Sequence, residues 1–155
     1  MSVLAFVVNK HNLNSVAALT GALEVDGRTR SLDLQFLWQD ERLVPRLRDL
    51  EQESDRLVVA LSFATASLHQ FAALMADLRR LEPAPYIVAG GPHPSARAEE
   101  VLRLGVDAVV IGEGEETLPA LLERHLAGPR RAAPAVELPE EDRARLRGLG
   151  YLVPE

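Results

Sequence analysis

The chain has 155 residues, 47% of them hydrophobic, so it is long enough for one domain with a buried core and is not intrinsically disordered. It contains no cysteine, which excludes disulfides, thiolate zinc sites, cysteine nucleophiles and an iron–sulfur cluster ligated by this chain. A net charge of -6 with 5% aromatic residues argues against nucleic-acid binding, which needs positive charge and stacking surfaces.

Two further features bear on where the protein works. No apolar run approaches the roughly 18 residues that a membrane span needs. The apolar start over 1–8 has no preceding basic residues and no small-residue cleavage site, so it does not read as a signal peptide. We therefore expect a cytoplasmic protein without a membrane partner.

The first part of the chain alternates short apolar runs with segments of helical spacing. Residues 3–8 form an apolar run typical of a strand buried on both faces, and a helical pattern begins after Asn14. Residues 31–38 alternate apolar and polar side chains, which predicts a strand at the edge of a sheet. A charged helix is predicted over 40–52, with three leucines as its buried stripe.

The same alternation continues to about residue 126. Three more strands are predicted over 57–62, 86–89 and 108–111, and three more helices over 67–78, 95–104 and 116–126. Five strand–helix units in series predict an α/β fold with a five-stranded parallel doubly wound sheet, flavodoxin-like, in the order 2-1-3-4-5.

The composition changes at residue 129, where prolines become frequent. We therefore divide the chain into a Rossmann-type domain over 1–128 and a short C-terminal tail over 129–155. The tail is predicted to be a Pro-rich linker followed by a short charged helix over 140–149.

The candidate site lies in the loops that follow the strands, because ligands of doubly wound sheets bind beyond the carboxyl ends of the strands. The loops after the first, third, fourth and fifth strands cover 9–14, 62–67, 90–94 and 112–116. All four are rich in small or polar side chains, and glycine at a strand end lets a ligand approach the backbone.

Three common ligand types of this fold do not match these loops. A phosphoacceptor receiver needs acidic residues where this chain has Asn9 and Ser62. The loop over 9–14 lacks the Ser/Thr/Gly composition of a flavin phosphate site. The loop over 112–116 lacks the third glycine of a dinucleotide motif, and its three glutamates would repel a phosphate.

A fourth type does match. The segments GGPHP over 90–94 and DAVVIGEGEE over 107–116, with the Ser62 and Thr65 pair after the third strand, resemble the cobalamin-binding N-terminal domain of cobalamin-dependent radical SAM proteins. The resemblance covers about residues 1–127. It implies a domain that holds cobalamin (vitamin B12) over the carboxyl edge of the sheet, with the nucleotide tail in a cleft between strands.

The predicted cofactor-binding residues all lie in the loops after the strands. They are Asn9, His11, Asn12, Asn14, Ser62, Phe63, Thr65, Gly90, Gly91, Pro92, His93, Gly112, Glu113, Gly114 and Glu115. No catalytic residue is predicted. His93, between two prolines, is expected to be an exposed loop residue unless a ligand lies there.

His11 is also the candidate metal ligand, to cobalt. The spacing Asn9-x-His11-x-x-Asn14 matches the Asp-x-His-x-x-Gly loop of methyltransferase-type cobalamin domains, whose histidine ligates cobalt. Asparagine at both flanking positions removes the carboxylate that would orient the imidazole. Radical SAM members of the family generally lack this ligand, so cobalt ligation by His11 is a hypothesis.

The resemblance implies a binding module and not a complete enzyme. The radical chemistry needs a three-cysteine iron–sulfur cluster and S-adenosylmethionine, which would lie on a separate domain or chain of a methyltransferase-like enzyme. The alternative is a degenerate domain without cofactor that serves protein–protein interaction or regulation, with Trp38, Arg42, Arg46 and the tail as its interface. A third possibility is a different small molecule in the same cleft.

Overall fold

The computed structural model describes residues 1–129, 144, 147, 148 and 150–152, and these form one sheet with helices on both faces. The strands are β1 (Ser2–Val8), β2 (Asp33–Trp38), β3 (Arg56–Ser62), β4 (Tyr86–Gly90), β5 (Ala108–Val110) and β6 (Tyr151–Leu152). Their order is β2-β1-β3-β4-β5-β6. The first five strands pair in parallel, which confirms the predicted order 2-1-3-4-5.

The sixth strand is a contribution of the tail that the sequence patterns did not predict. It spans two residues and pairs antiparallel with β5, so that Leu152 lies opposite Val109 and Tyr151 opposite Val110. A two-residue strand is too short to show any hydrophobic period. Most of the predicted linker and the charged helix over 140–149 lies outside the described residues.

Within residues 1–129 the structure describes six α-helices. They are α1 (Leu13–Val25), α2 (Leu43–Glu53), α3 (Leu68–Leu78), α4 (Pro92–Ala96), α5 (Ala98–Arg103) and α6 (Thr117–Ala127). A 3₁₀ turn over Thr65–Ser67 precedes α3. The prediction of a single helix over 95–104 is wrong, because the chain forms α4 and α5, with Arg97 between them at φ -134° and ψ 46°.

The sheet separates two hydrophobic cores, because successive side chains of a strand point to opposite faces. In β1, Leu4, Phe6 and Val8 pack with α1 and α6, whereas Val3, Ala5 and Val7 pack with the helices of the other face. Every residue from Val3 to Val8 is buried, which explains the unbroken apolar run of this strand.

The two edges of the sheet differ. Strand β2 lies at one edge, as its alternating pattern predicts, and Phe36 and Trp38 are 49% and 57% exposed. At the other edge β6 covers β5. Within the described ranges, none of the helices combines the length and apolarity required to cross a bilayer.

Candidate functional site

A cleft of about 400 Å³ opens at the carboxyl ends of β1, β3, β4 and β5, on the face of the sheet that carries α1 and α6. Its volume falls within the range of small-molecule and cofactor sites, which is roughly 300–1,000 Å³. The position is the one expected for a ligand of a doubly wound sheet.

The floor of the cleft is apolar and comes from the strands. Phe6 of β1, Ala60 of β3, Val88 of β4 and Val110 of β5 line it, and Leu118 of α6 closes one side. None of these residues is among the predicted site residues, although strand periodicity contains the signal. Ala60 and Val88 stand two positions before a predicted site residue in each strand, so they share its face.

The mouth of the cleft is formed by the predicted loops. The predicted residues that line it are Asn12, Asn14, Ser62, Gly90, Gly91, Gly112, Glu113, Gly114 and Glu115. Ser62 and Gly90 are register partners in adjacent strands, so the loop after β3 and the loop after β4 begin side by side. The Gly112 N–H, in the loop after β5, donates to Ser95 Oγ at 3.0 Å, which joins this loop to helix α4.

Three of the glycines that line the cleft, Gly90, Gly91 and Gly114, have different roles. A Cβ on Gly90 would meet only Val110 atoms, at 3.8 and 3.9 Å, so that side of the strand is open to the cleft. A Cβ on Gly91 would lie 2.7 Å from Ser62 Oγ, and one on Gly114 would lie 2.9 Å from Leu19 Cδ2. Gly91 and Gly114 therefore allow close packing of loops, whereas Gly90 leaves space for a ligand.

Replacing Gly91 with alanine is expected to lower the free energy of unfolding by about 2 kcal/mol, because its φ of 101° with ψ of -172° is essentially restricted to glycine. The new Cβ would also collide with Ser62 Oγ. Urea denaturation followed by circular dichroism measures the loss. Gly90→Ala is the matched control, and a loss of similar size in both variants would contradict this account.

The loop after β1 is held by the buried side chain of Asn12. Its Oδ1 accepts from the Asn9 N–H at 2.9 Å, and its Nδ2 donates to the carbonyl of Val7 at 2.9 Å. Asn9 Oδ1 in turn accepts from the His11 N–H at 2.9 Å. Asn12 is 5% exposed and lines the cleft, while Asn9 and His11 lie outside the cleft lining and His11 is exposed.

The structure also places Phe63, Thr65, Pro92 and His93 outside the lining of the cleft. The expectation of an exposed His93 is wrong, because the residue is 5% exposed. The ring packs against Phe63 with a centroid separation of 5.4 Å, and Nδ1 lies 2.9 Å from Thr65 Oγ1. These contacts tie the loop after β3 to α4 behind the cleft.

The polar groups at the mouth are neutral or acidic. Glu113 and Glu115 are exposed there, and none of the cleft-lining side chains within the described ranges is Lys, Arg or His. Such a site suits neutral amide donors better than free phosphate groups, which a carboxylate repels. Across the described part of the chain, no three His, Asp or Glu side chains cluster as a metal-binding group.

Comparison with known proteins finds one matching family model and several similar solved structures. The family model described as B12 binding domain matches residues 2–122. No curated protein matches the chain.

Among solved structures, the chain is similar to the cobalamin-dependent S-adenosylmethionine radical enzyme OxsB with aqua-cobalamin bound. The TM-score is 0.56 at 17% identity, over 83% of this chain and 19% of that one. The apo, selenomethionine-labelled form of the same enzyme gives a TM-score of 0.53 at 17% identity and the same coverage. The N-terminal domain of a hypothetical protein from Thermotoga maritima has 27% identity and a TM-score of 0.48, over 81% of this chain and 94% of that domain.

The similarity to OxsB shows a shared fold. The matched part spans about a fifth of the OxsB chain, since the coverage is 19%.

Proposed function

The chain belongs to the B12 binding domain family, and from this premise we propose that its cleft holds the nucleotide tail of cobalamin while the corrin ring lies over the carboxyl end of the sheet. The observation that carries the proposal is the cleft itself. It has an apolar floor and opens at the carboxyl ends of the strands, within the matched region.

The apolar floor of the cleft fits the base at the end of the tail. The base of the tail is a flat apolar ring, and the floor of Phe6, Ala60, Val88 and Val110 offers apolar contact on the sheet side. Burial of that ring contributes about 25 cal/mol per Å² of apolar surface removed from water. Because Gly90 has no side chain, the ring can lie close to the backbone of β4.

The polar groups at the mouth fit the corrin and its side arms. Asn14, Ser62, Glu113 and Glu115 can accept hydrogen bonds from the neutral amide arms of the corrin. Asn12 acts indirectly. Its buried amide fixes the loop after β1, and Asn14 lies in the first turn of α1, which begins directly after that loop. When bound, cobalamin supplies a cobalt centre that carries alkyl groups.

We infer that this chain is the binding module for a catalytic domain or subunit of the radical SAM class. Support comes from the fold shared with OxsB, which contains a domain of this kind within a much longer chain. With no cysteine, this chain cannot itself ligate an iron–sulfur cluster through thiolates. The cluster and S-adenosylmethionine would therefore be supplied by that partner.

The direct test is incubation of the purified protein with hydroxocobalamin, followed by desalting. A single retained equivalent, seen as pink protein, is the expected result. Colourless protein would overturn the proposal and would favour the alternative, a domain without cofactor that serves protein–protein contacts. Cobinamide, which lacks the nucleotide tail, is the matched ligand control, and we expect it to wash off.

Substitution of His11 by alanine is expected to leave the visible absorption spectrum of bound cobalamin unchanged. The imidazole lies on an exposed loop outside the cleft lining, and the oxygen of Asn9 that could orient it accepts from the backbone instead. Spectra of both proteins loaded with hydroxocobalamin, recorded at the same pH, provide the comparison. Loss of an imidazole-type band in the variant would instead assign His11 as the cobalt ligand.

A further inference from the structure

Strand β2 forms one edge of the sheet. Within the described residues it pairs with β1 alone, whereas the opposite edge is covered by β6. Natural edge strands are usually guarded by lysine, proline or a bulge. Strand β2 has none of these along its six residues, and its only charged residue, Asp33, accepts from Gln35 Nε2 at 2.8 Å.

The direction of the free backbone groups follows from one hydrogen bond. The N–H of Gln39 donates to the carbonyl of Val8 at 2.9 Å, so the backbone of Gln39 faces β1. Because the backbone groups of a strand alternate between its two sides, those of Leu34, Phe36 and Trp38 face away from β1. The open edge therefore presents three N–H groups and three carbonyls at alternate residues, of which the Trp38 carbonyl already accepts one hydrogen bond, from the Asp40 N–H at 2.9 Å.

The same three residues form an apolar row. Leu34, Phe36 and Trp38 share the face of the sheet on which α1 lies, and Phe36 stacks on Phe6 at a centroid distance of 5.8 Å. Phe36 is 49% exposed and Trp38 57%. Leu34, Phe36 and Trp38 thus form one strip that carries both the outward backbone groups and the apolar side chains. Such a strip favours pairing with another strand.

The strip is complementary to itself. A two-fold axis perpendicular to the sheet makes two copies of β2 antiparallel and keeps matching faces together. In the register that uses all three outward residues, Phe36 lies opposite Phe36 of the second copy and Leu34 opposite Trp38. On the other face of the same register, the Asp33 carboxylate lies opposite the carboxamide of Gln39, which can donate to it.

We propose that the chain forms a homodimer by antiparallel pairing of β2 with β2 of a second copy, which joins the two sheets into one. A second copy fits better than an unrelated strand, because each of the three outward residues of β2 then lies opposite another apolar residue. The cleft is separated from this edge by β1, so the dimer leaves it accessible. The proposal is therefore independent of what the cleft binds.

Cross-linking tests the register directly, because the chain has no cysteine of its own. Phe36→Cys places a single thiol next to the two-fold axis, where the two Cα atoms would lie about 5.5 Å apart. We expect a short bismaleimide to convert this variant into a covalent dimer. Ala76→Cys, exposed on α3, is the matched control and is expected to stay monomeric under the same treatment. Equal yields for the two variants would overturn the proposed register.

Sedimentation equilibrium tests the dimer itself. We expect the unmodified chain to be dimeric and Phe36→Lys to dissociate roughly 100-fold more readily, because the two lysines would lie opposite each other. The single tryptophan, Trp38, should shift its fluorescence to longer wavelength as the dimer dissociates. Circular dichroism shows whether the variant is folded. A monomer at all concentrations would overturn the proposal and leave the tail or another protein to cover β2.

Discussion

Replacing Gly90 with valine is expected to raise the Kd for cobalamin by at least roughly 100-fold while leaving the fold intact. A Cβ at this position makes ordinary contacts with Val110 at 3.8 and 3.9 Å, so the strand accepts a side chain. The methyl groups beyond it would extend into the cleft and occupy the space assigned to the nucleotide tail. Valine is also favoured in strands, which protects β4.

Two controls separate loss of the cleft from loss of the protein. Gly21→Val makes the same substitution on α1, where no atom outside the adjacent residues and the backbone of the helix lies within 4 Å of a Cβ, and it should bind cobalamin like the unmodified chain. Gly90→Ala adds only the tolerated Cβ and should give an intermediate Kd. Absorbance after desalting and a direct titration with hydroxocobalamin measure the binding, and circular dichroism confirms folding.

Two outcomes of this experiment would count against the proposed site. Full retention of cobalamin by a folded Gly90→Val protein would show that the tail does not lie next to β4. Equal losses in Gly90→Val and Gly21→Val would show that the effect comes from general destabilisation. Neither outcome bears on the β2 dimer, whose residues lie at the sheet edge.

The second large effect is expected at Asp107, where alanine should lower the free energy of unfolding by about 3 kcal/mol. The carboxylate is buried, with 8% of the residue exposed, and its Oδ2 accepts from Arg79 Nη2 at 2.9 Å and from the Ile87 N–H at 2.7 Å. Arg79 also donates from Nε to the carbonyl of Gly105 at 2.8 Å. Removing the carboxylate leaves a half-buried guanidinium and a buried N–H without this partner.

Urea unfolding monitored by circular dichroism measures this loss. In thermal unfolding, the midpoint temperature of a chain of this size should fall by roughly 6–12 °C. Asp49→Ala, at an exposed position of α2, is the control and should cost nothing. Asp107 precedes β5 at the end of the sheet opposite the cleft, so the stoichiometry of cobalamin binding should be unchanged. A decrease in the free energy of unfolding of less than about 1 kcal/mol would contradict the role assigned to this ion pair.

Local sequence patterns predict most of the fold. The apolar run of β1 indicates burial on both faces, and the alternation of β2 indicates an edge. Connections between parallel strands are right-handed and need a helix, so five strand–helix units leave few possible sheet orders. The loops at the carboxyl ends, with Ser62, Gly90 and Gly91, follow from that order.

Other features depend on atoms that are distant in the chain. His93 is buried because Thr65 and Phe63, from the preceding loop, pack against it. Arg79 and Asp107 meet across the ends of β4 and β5, and nothing in their sequence neighbourhoods marks the pair. Strand β6 forms by pairing with the edge of β5. A pattern of two residues is too short to predict this pairing from the sequence.

The sequence alone determined the fold class, the end of the sheet at which the cleft opens and the absence of cysteine chemistry, because periodicity, loop composition and residue counts are local properties. The tertiary structure decided which loop residues face the cleft and which tie loops together behind it. The reason is that residues beyond the strand ends follow no regular period, so only packing decides that Gly90 lies against the cleft whereas His93 packs on Phe63 and Thr65 behind it.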